Sequence, residues 1–143
     1  RQREARRGQK SVEVKEIRAA LDQAWSTRQV DAVIVAGDFN AVRGRGPLLP
    51  VQGDPASGAR YLRVADAAHA NGTDRWTWDG RGTPFPSRPL DFILHNEGLK
   101  LLSALVFDPE TMSPRARSRL GLRRESLIAL SDHRPVIADF AWR

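Results

Sequence analysis

The apolar positions of the first part of the chain follow helical spacing. One apolar series recurs at intervals of three and four and predicts an amphipathic helix; its members are Val14, Ile17, Leu21, Ala24 and Trp25. Ser11 is placed to act as the N-cap of this helix. A second, shorter helix is predicted from Tyr61 to His69, since Asn71-Gly72 forms a good C-terminal stop after it.

Short apolar runs predict the strands. They lie at residues 32–36, 75–78, 90–94, 99–107 and 135–140. The first run is continuous and rich in β-branched residues, which is typical of a strand buried on both faces. Residues 79–89 hold three prolines and two glycines and are therefore expected to form an irregular loop. Helices that separate strands indicate an α/β fold, here a mixed β-sheet with flanking helices.

The amino-acid composition narrows the class of protein without identifying a function. The chain has 143 residues, of which 41% are hydrophobic and 28% charged, which suits one globular domain with a real core. Its net charge of +6 favours a negatively charged ligand. There is no cysteine, no bilayer-length apolar run and no signal-peptide pattern. A start at Arg1 rather than methionine favours a processed chain or a piece of a longer one.

Polar side chains stand at the end of the first predicted strand. Asp38 and Asn40 are two positions apart, so in extended geometry both point to the same side. The carboxyl ends of strands are where open α/β folds place their chemistry. The alternative interpretation is a strand followed by an Asx-rich turn.

Two further ionisable residues lie against predicted core strands. Asp91 stands between Leu90 and Phe92, where an unpaired buried carboxylate would cost several kcal/mol. His133, just ahead of the last strand, is the natural partner, because a carboxylate fixes the imidazole tautomer. A structural histidine and a turn-capping aspartate are the alternative interpretation.

Two kinds of catalytic site fit the sequence poorly. Contiguous Ser131, Asp132 and His133 alternate in direction on an extended segment and cannot form a hydrolase triad, and the chain has no Gly-x-Ser-x-Gly elbow. The histidines are too scattered for a zinc site without cysteine. The oxygen ligands that remain suit Mg²⁺ or Mn²⁺.

Three motifs together resemble the endonuclease/exonuclease/phosphatase superfamily. They are Gly37-Asp-Phe-Asn40, Leu90-Asp-Phe-Ile-Leu94 and Ser131-Asp-His-Arg-Pro135, in that order. The resemblance runs from Gln9 to Trp142 and implies that residues 1–143 are the carboxyl-terminal part of a single domain, one lobe of a four-layered α/β sandwich. The family's opening strands, with a metal-binding asparagine and glutamate, and its middle His or Tyr element have no counterpart, so an upstream half is expected.

The resemblance also implies roles for individual residues. Asp38 would act as general base or orient the water, and Asn40 would bind a phosphoryl oxygen. Asp132 would contribute to the metal site, and His133, oriented by Asp91, would stabilise the transition state. The arginine that commonly stands just ahead of the Asp91 motif is displaced here by a Pro-Leu pair.

Substrate contacts are a separate prediction. Trp78 and Arg88 are candidates, although a tryptophan pair such as Trp76 and Trp78 is also typical of a core. The arginines at 43, 45 and 81 and between 115 and 124 could line a phosphate cleft or simply face solvent.

The sequence therefore predicts a metal-dependent hydrolase of phosphate esters, most of all a phosphodiesterase or nuclease-type enzyme, with Mg²⁺ or Mn²⁺ as cofactor and nucleic acid as one candidate substrate. One alternative is a non-catalytic fragment or binding module that keeps the fold without a full metal site. Another is nucleic-acid binding without chemistry, which predicts salt-sensitive DNA affinity.

Overall fold

A computed structural model describes residues 2–143, with side chains from Glu13 onward. Within residues 2–143 there are three α-helices, α1 (Gln2–Thr27), α2 (Leu48–Gln52) and α3 (Pro114–Arg119), and a 3-10 helix spans Pro55–Arg60. The same residues form five strands, β1 (Ile34–Asp38), β2 (Arg63–Val64), β3 (Asp91–His95), β4 (Leu99–Val106) and β5 (Val136–Trp142). The chain thus has the α/β composition that its sequence predicts.

The first sheet has the strand order β1-β3-β2, with both pairs antiparallel. Because β1 lies at an edge of this sheet, it is more open than its apolar sequence predicts. Ile34 is 52% exposed, so the expectation of a strand buried on both faces is wrong. Pairing of β1 with β3 places Asp38 directly opposite Asp91.

The main core lies between the helices and one face of this sheet. It is built from buried residues of α2, β3 and the segments between them: Ala41, Leu48, Val51, Leu62, Phe92 and Leu94. Val14, Leu21 and Trp25 of α1 pack against this cluster. Arg18 of α1 also donates hydrogen bonds to the carbonyls of Gln52 (3.3 Å) and Arg60 (3.0 Å). The helix layer is therefore fixed to the sheet by apolar packing and by carbonyl contacts.

Strands β4 and β5 form a second, antiparallel sheet. It approaches the opposite face of the first sheet, where the rings of His95 and Phe140 lie 5.0 Å apart. Helices, first sheet and second sheet thus follow one another as three layers. Every strand pair in residues 2–143 is antiparallel, in contrast to the mixed directions expected; the one parallel contact is an isolated bridge between Ala68 and Leu105.

Several local predictions differ from the structure. The predicted helix over residues 61–69 is wrong, because Arg63 and Val64 pair with β3 and the Ala65 amide donates to the Ile93 carbonyl. Residues 50–57, whose proline and glycine content predicts a loop, contribute instead to α2 and the 3-10 helix. Residues 75–78 form isolated bridges at Trp78 instead of a strand.

The start of the first helix also differs from the prediction. Helix α1 begins at Gln2, so Ser11 lies within it and is not its N-cap; the side chain of Ser11 is outside the described part of the chain. Within residues 2–143, no helix has the length and apolar character needed to cross a membrane.

Candidate active site

Asp91 and His133 are in contact between the two sheets. His133 Nδ1 lies 2.8 Å from Asp91 Oδ2, as the sequence predicted for this pair. The same carboxylate oxygen accepts a hydrogen bond from the Thr77 hydroxyl at 2.6 Å. With Nδ1–H donated to Asp91, the free ring nitrogen of His133 is Nε2.

Thr77 is the residue that fixes Asp91 to the backbone. Its side chain is buried, and its oxygen accepts from the amides of Leu90 and Asp91, both at 2.9 Å. The hydroxyl therefore uses its proton on the carboxylate and its lone pairs on the strand that carries the carboxylate. Thr77 therefore contacts both the carboxylate and the backbone amide of Asp91, and these two contacts fix the orientation of the Asp91 side chain.

Asp38 reaches the same area from β1. Directly opposite residues in an antiparallel pair project from the same face of the sheet, so Asp38 and Asp91 share a face. Asn40 holds Asp38 at both oxygens, through its backbone amide (2.7 Å) and its side-chain amide (2.8 Å). Asn40 has a φ of 50°, a left-handed conformation that asparagine tolerates better than most residues. The strand end is thus closed by the Asx turn named above as the alternative, with Asp38 as its acceptor.

An open cleft of about 370 Å³ lies at this junction of the sheets. Its lining comes from β1, β3 and the segment leading into β5: Ala36, Gly37, Asp91, Phe92, Ile93, Ser131, His133, Arg134, Pro135 and Val136. Asp38 and Asn40 border a neighbouring depression that shares Ala36 and Gly37 with this cleft. The structure therefore brings Asp91 and His133 together in the cleft and places Asp38 opposite Asp91, whereas Asp38 and Asn40 border the neighbouring depression.

Asp132 was the predicted metal ligand. It is exposed, and its Oδ2 accepts a hydrogen bond from the Trp78 indole at 2.8 Å. Among the residues whose side chains are described, no group of three or more His, Asp or Glu residues could hold a metal ion. The carboxylates present are of the type Mg²⁺ and Mn²⁺ prefer, but those of the described side chains do not complete a site.

The predicted substrate residues take different positions. Trp78 is half-buried and contacts Asp132, while Trp76 packs with its ring 4.3 Å from that of His69. Arg88 is exposed and pairs with Trp78 through its backbone. Its side chain makes no hydrogen bond or ion pair within the described residues.

A buried ionic network lies beneath the His133 segment. Arg134 is 1% exposed and donates to Asp79 Oδ2 at 2.9 Å and to the Ser131 carbonyl at 3.0 Å. Its Nε is 3.5 Å from Asp108, which is 3.5 Å from His69. His69 Nε2 lies 2.7 Å from the Trp76 carbonyl. Arg134 thereby links the turn before His133 to the start of the 79–89 loop.

Comparison with protein-family models gives one match. The model of the endonuclease/exonuclease/phosphatase family covers residues 8–133. This chain belongs to that family. Its members hydrolyse phosphate esters, and the chain is therefore assigned to this general class of hydrolase. The corresponding comparisons with curated proteins and with solved structures returned no match.

Sequence reasoning missed Thr77 and Arg134. Thr77 lies between two tryptophans, and nothing in its local pattern separates it from an ordinary strand residue. The structural role of Arg134 was not predicted, because arginines are frequent throughout the chain and this one did not stand out. A buried carboxylate needs donors, and that rule, applied to Asp91 and Asp79, could have prompted a search for both.

We expect Thr77→Val to lower the free energy of unfolding by roughly 1–3 kcal/mol, because two backbone amides lose their acceptor and Asp91 loses a donor. Thr77→Ser keeps the hydroxyl and should recover most of this loss. Urea unfolding of the three proteins measures the difference. A Thr77→Val variant as stable as the unmodified chain, or a loss in Thr77→Ser as large as that in Thr77→Val, would contradict the role given to the hydroxyl.

Asp79 should contribute an acid-sensitive part of the stability. Hydrogen bonds from the Arg81 side chain hold the pKa of Asp79 below its ordinary value of 3.8, against the opposing effect of partial burial. A lowered folded-state pKa stabilises the fold above the ordinary value, and that stabilisation disappears as the pH falls through the folded-state pKa.

Asp79→Asn should therefore reduce thermal stability at neutral pH and flatten its decline below about pH 4. The thermal midpoint, followed from neutral to acid pH, tests this. Asp66→Asn is a suitable control, since Asp66 forms only exposed ion pairs with Arg45 and Arg75. Parallel acid profiles for Asp79→Asn and the unmodified chain would contradict the prediction.

Proposed function

We propose that the cleft hydrolyses phosphodiesters, in the manner of a nuclease or phosphodiesterase, with help from Mg²⁺ or Mn²⁺. The single observation that supports this most is the opposed placement of Asp38 and Asp91, with His133 bound to Asp91 at 2.8 Å. Phosphoryl transfer needs mainly positioning and charge stabilisation, and these side chains can supply both.

In this proposal Asp38 prepares the nucleophile. Its two oxygens are aligned by Asn40, which limits how the carboxylate can turn. Asp38 accepts a proton from a water molecule as the water oxygen attacks phosphorus, and the bond to the leaving ester oxygen breaks. The Asn40 side-chain amide has a second N–H beyond the one given to Asp38, and this N–H would bind a phosphoryl oxygen.

His133 stabilises the charge on the phosphorus oxygens. Asp91 fixes the ring through Nδ1, so Nε2 carries the contact to a non-bridging oxygen. Thr77 holds Asp91 in turn. A precisely held donor stabilises the transition state more than a mobile one, because it does not have to reorganise during the reaction.

We also propose that Asp132 is one ligand of a divalent metal and that an upstream half of the same domain supplies the rest. When bound, the metal would offset negative charge that develops on the phosphoryl group. The resemblance supports this proposal, because the family's metal-binding asparagine and glutamate belong to opening strands that have no counterpart in this chain. Trp78 would orient Asp132, and Arg88 is proposed as a substrate contact.

Asp38→Asn and His133→Ala should each lower turnover by about 10²–10⁴-fold, the range typical of a lost general base or electrostatic donor. Turnover of bis(4-nitrophenyl) phosphate with Mg²⁺ or Mn²⁺, in a polypeptide that also carries the upstream half, measures this. Circular dichroism should show an unchanged fold, and Asp66→Asn should keep full activity. Salt-sensitive DNA binding without turnover, unaffected by either substitution, would instead favour the binding-module alternative.

The 143-residue chain alone should hydrolyse the same substrate feebly or not at all, because its described carboxylates do not complete a metal site. Adding the upstream half, in one polypeptide or as a separate chain, should raise turnover in the presence of Mg²⁺ or Mn²⁺. Robust metal-dependent turnover by the 143-residue chain would show that its own residues suffice.

A further inference from the structure

Two arginine-bearing loops adjoin the cleft. The first loop, residues 80–88, starts beside the cleft, where the Asp79 amide donates to the Asp132 carbonyl at 2.8 Å. The second loop, residues 113–130, includes the short helix α3 and is followed by Ser131, which lines the cleft. Glu110 joins them, since it forms ion pairs with Arg81 of the first loop and with Arg124 of the second. The two loops therefore belong to one surface next to His133.

Large apolar side chains project from this surface. Leu130 is 79% exposed, Phe85 66%, Leu120 57% and Ile128 51%. The second loop is nevertheless folded, because turns such as the hydrogen bond from the Leu130 amide to the Leu127 carbonyl (2.9 Å) close it. Its exposed aliphatic groups are thus presented by a defined backbone and do not belong to an extended tail.

The charged side chains of the same loops are nearly all cationic. Together the two loops carry seven arginines and one acidic residue, Glu125. Glu110 partly offsets Arg81 and Arg124, but the remaining arginines have no acidic partner within the described residues. The surface therefore combines exposed apolar side chains with a strong excess of positive charge.

We propose that this surface docks on an anionic lipid bilayer. Exposed aliphatic and aromatic groups gain by entering the headgroup boundary, and surrounding arginines gain from acidic headgroups. A nucleic acid could also pair with the arginines, but it would leave Leu120, Ile128 and Leu130 in water or against phosphate. These exposed apolar side chains therefore favour a bilayer as the partner. This docking goes beyond the proposed hydrolysis and does not depend on it.

Vesicle flotation of the 143-residue chain tests the proposal directly. Binding should be clear on phosphatidylcholine vesicles that contain phosphatidylserine, weak on phosphatidylcholine alone, and should fall as salt is raised. The paired substitution Ile128→Ser and Leu130→Ser should reduce affinity at least tenfold, because two apolar side chains no longer enter the headgroup boundary.

Matched controls distinguish binding through this surface from nonspecific adsorption of the protein to vesicles. Leu49→Ser changes a leucine that is 64% exposed on α2 and should leave vesicle binding unchanged. Arg123→Gln should weaken binding by about fivefold, the effect of one basic residue near an acidic surface. Arg28→Gln, just after the end of α1, should have no comparable effect. Circular dichroism checks that each variant is folded.

Three results would overturn the proposal. The first is no binding to vesicles containing phosphatidylserine. The second is vesicle binding that the paired Ile128 and Leu130 substitution leaves unchanged while a single-stranded oligonucleotide competes it away, which would assign the surface to nucleic acid. The third is concentration-dependent dimerisation in sedimentation that the same substitution abolishes, which would assign it to a second copy of the chain. None of these results depends on turnover, so the proposed hydrolysis stands or falls separately.

Discussion

The carboxylate of Asp91 is the group on which the candidate site depends. It lies on the central strand of the first sheet, where its charge needs donors, and it receives them from Thr77 on one side and His133 on the other. One oxygen thereby joins three separate parts of the chain. Removing either donor would leave the charge less compensated, so the stability of this region and the placement of His133 are coupled.

The layers of the fold explain why this group remains accessible. The helices cover the face of the first sheet that carries Phe92 and Leu94, and this leaves Asp91 on the face turned toward β5. The second sheet approaches that face at His95 and Phe140. The two sheets therefore contact each other near His95, at one end of β3, and the cleft lies near Asp91, at the other end. Arg134, fully buried behind His133, holds the wall of the cleft in place.

Much of the architecture could be predicted from local pattern, and the failures have physical causes. Strands β3, β4 and β5 have apolar runs that admit few other interpretations. The segment from Tyr61 to His69 has helical spacing, but pairing with β3 outweighs that preference at Arg63 and Val64. The exposure of β1 could not be predicted either, because a continuous apolar run does not tell an edge strand from a central one.

The part of the site that could be predicted is the part that follows from the need of a buried charge for a partner. A carboxylate between apolar neighbours demands a partner, and this argument found the contact between Asp91 and His133. The roles of Thr77 and Arg134 depend on long-range contacts, across 14 residues to Asp91 and 55 residues to Asp79. No spacing rule connects residues so far apart, and only the folded chain shows that they meet.

The facing of Asp38 and Asp91 has a further consequence. Two like charges directly opposite each other on paired strands repel, and strand pairing is weakened where they meet. A chain selected for stability alone would replace one of them with a neutral residue. In the proposed hydrolysis both carboxylates are needed, so strand-pairing stability would be given up at this end of the sheet for reactivity, as is common where a stable scaffold carries chemistry.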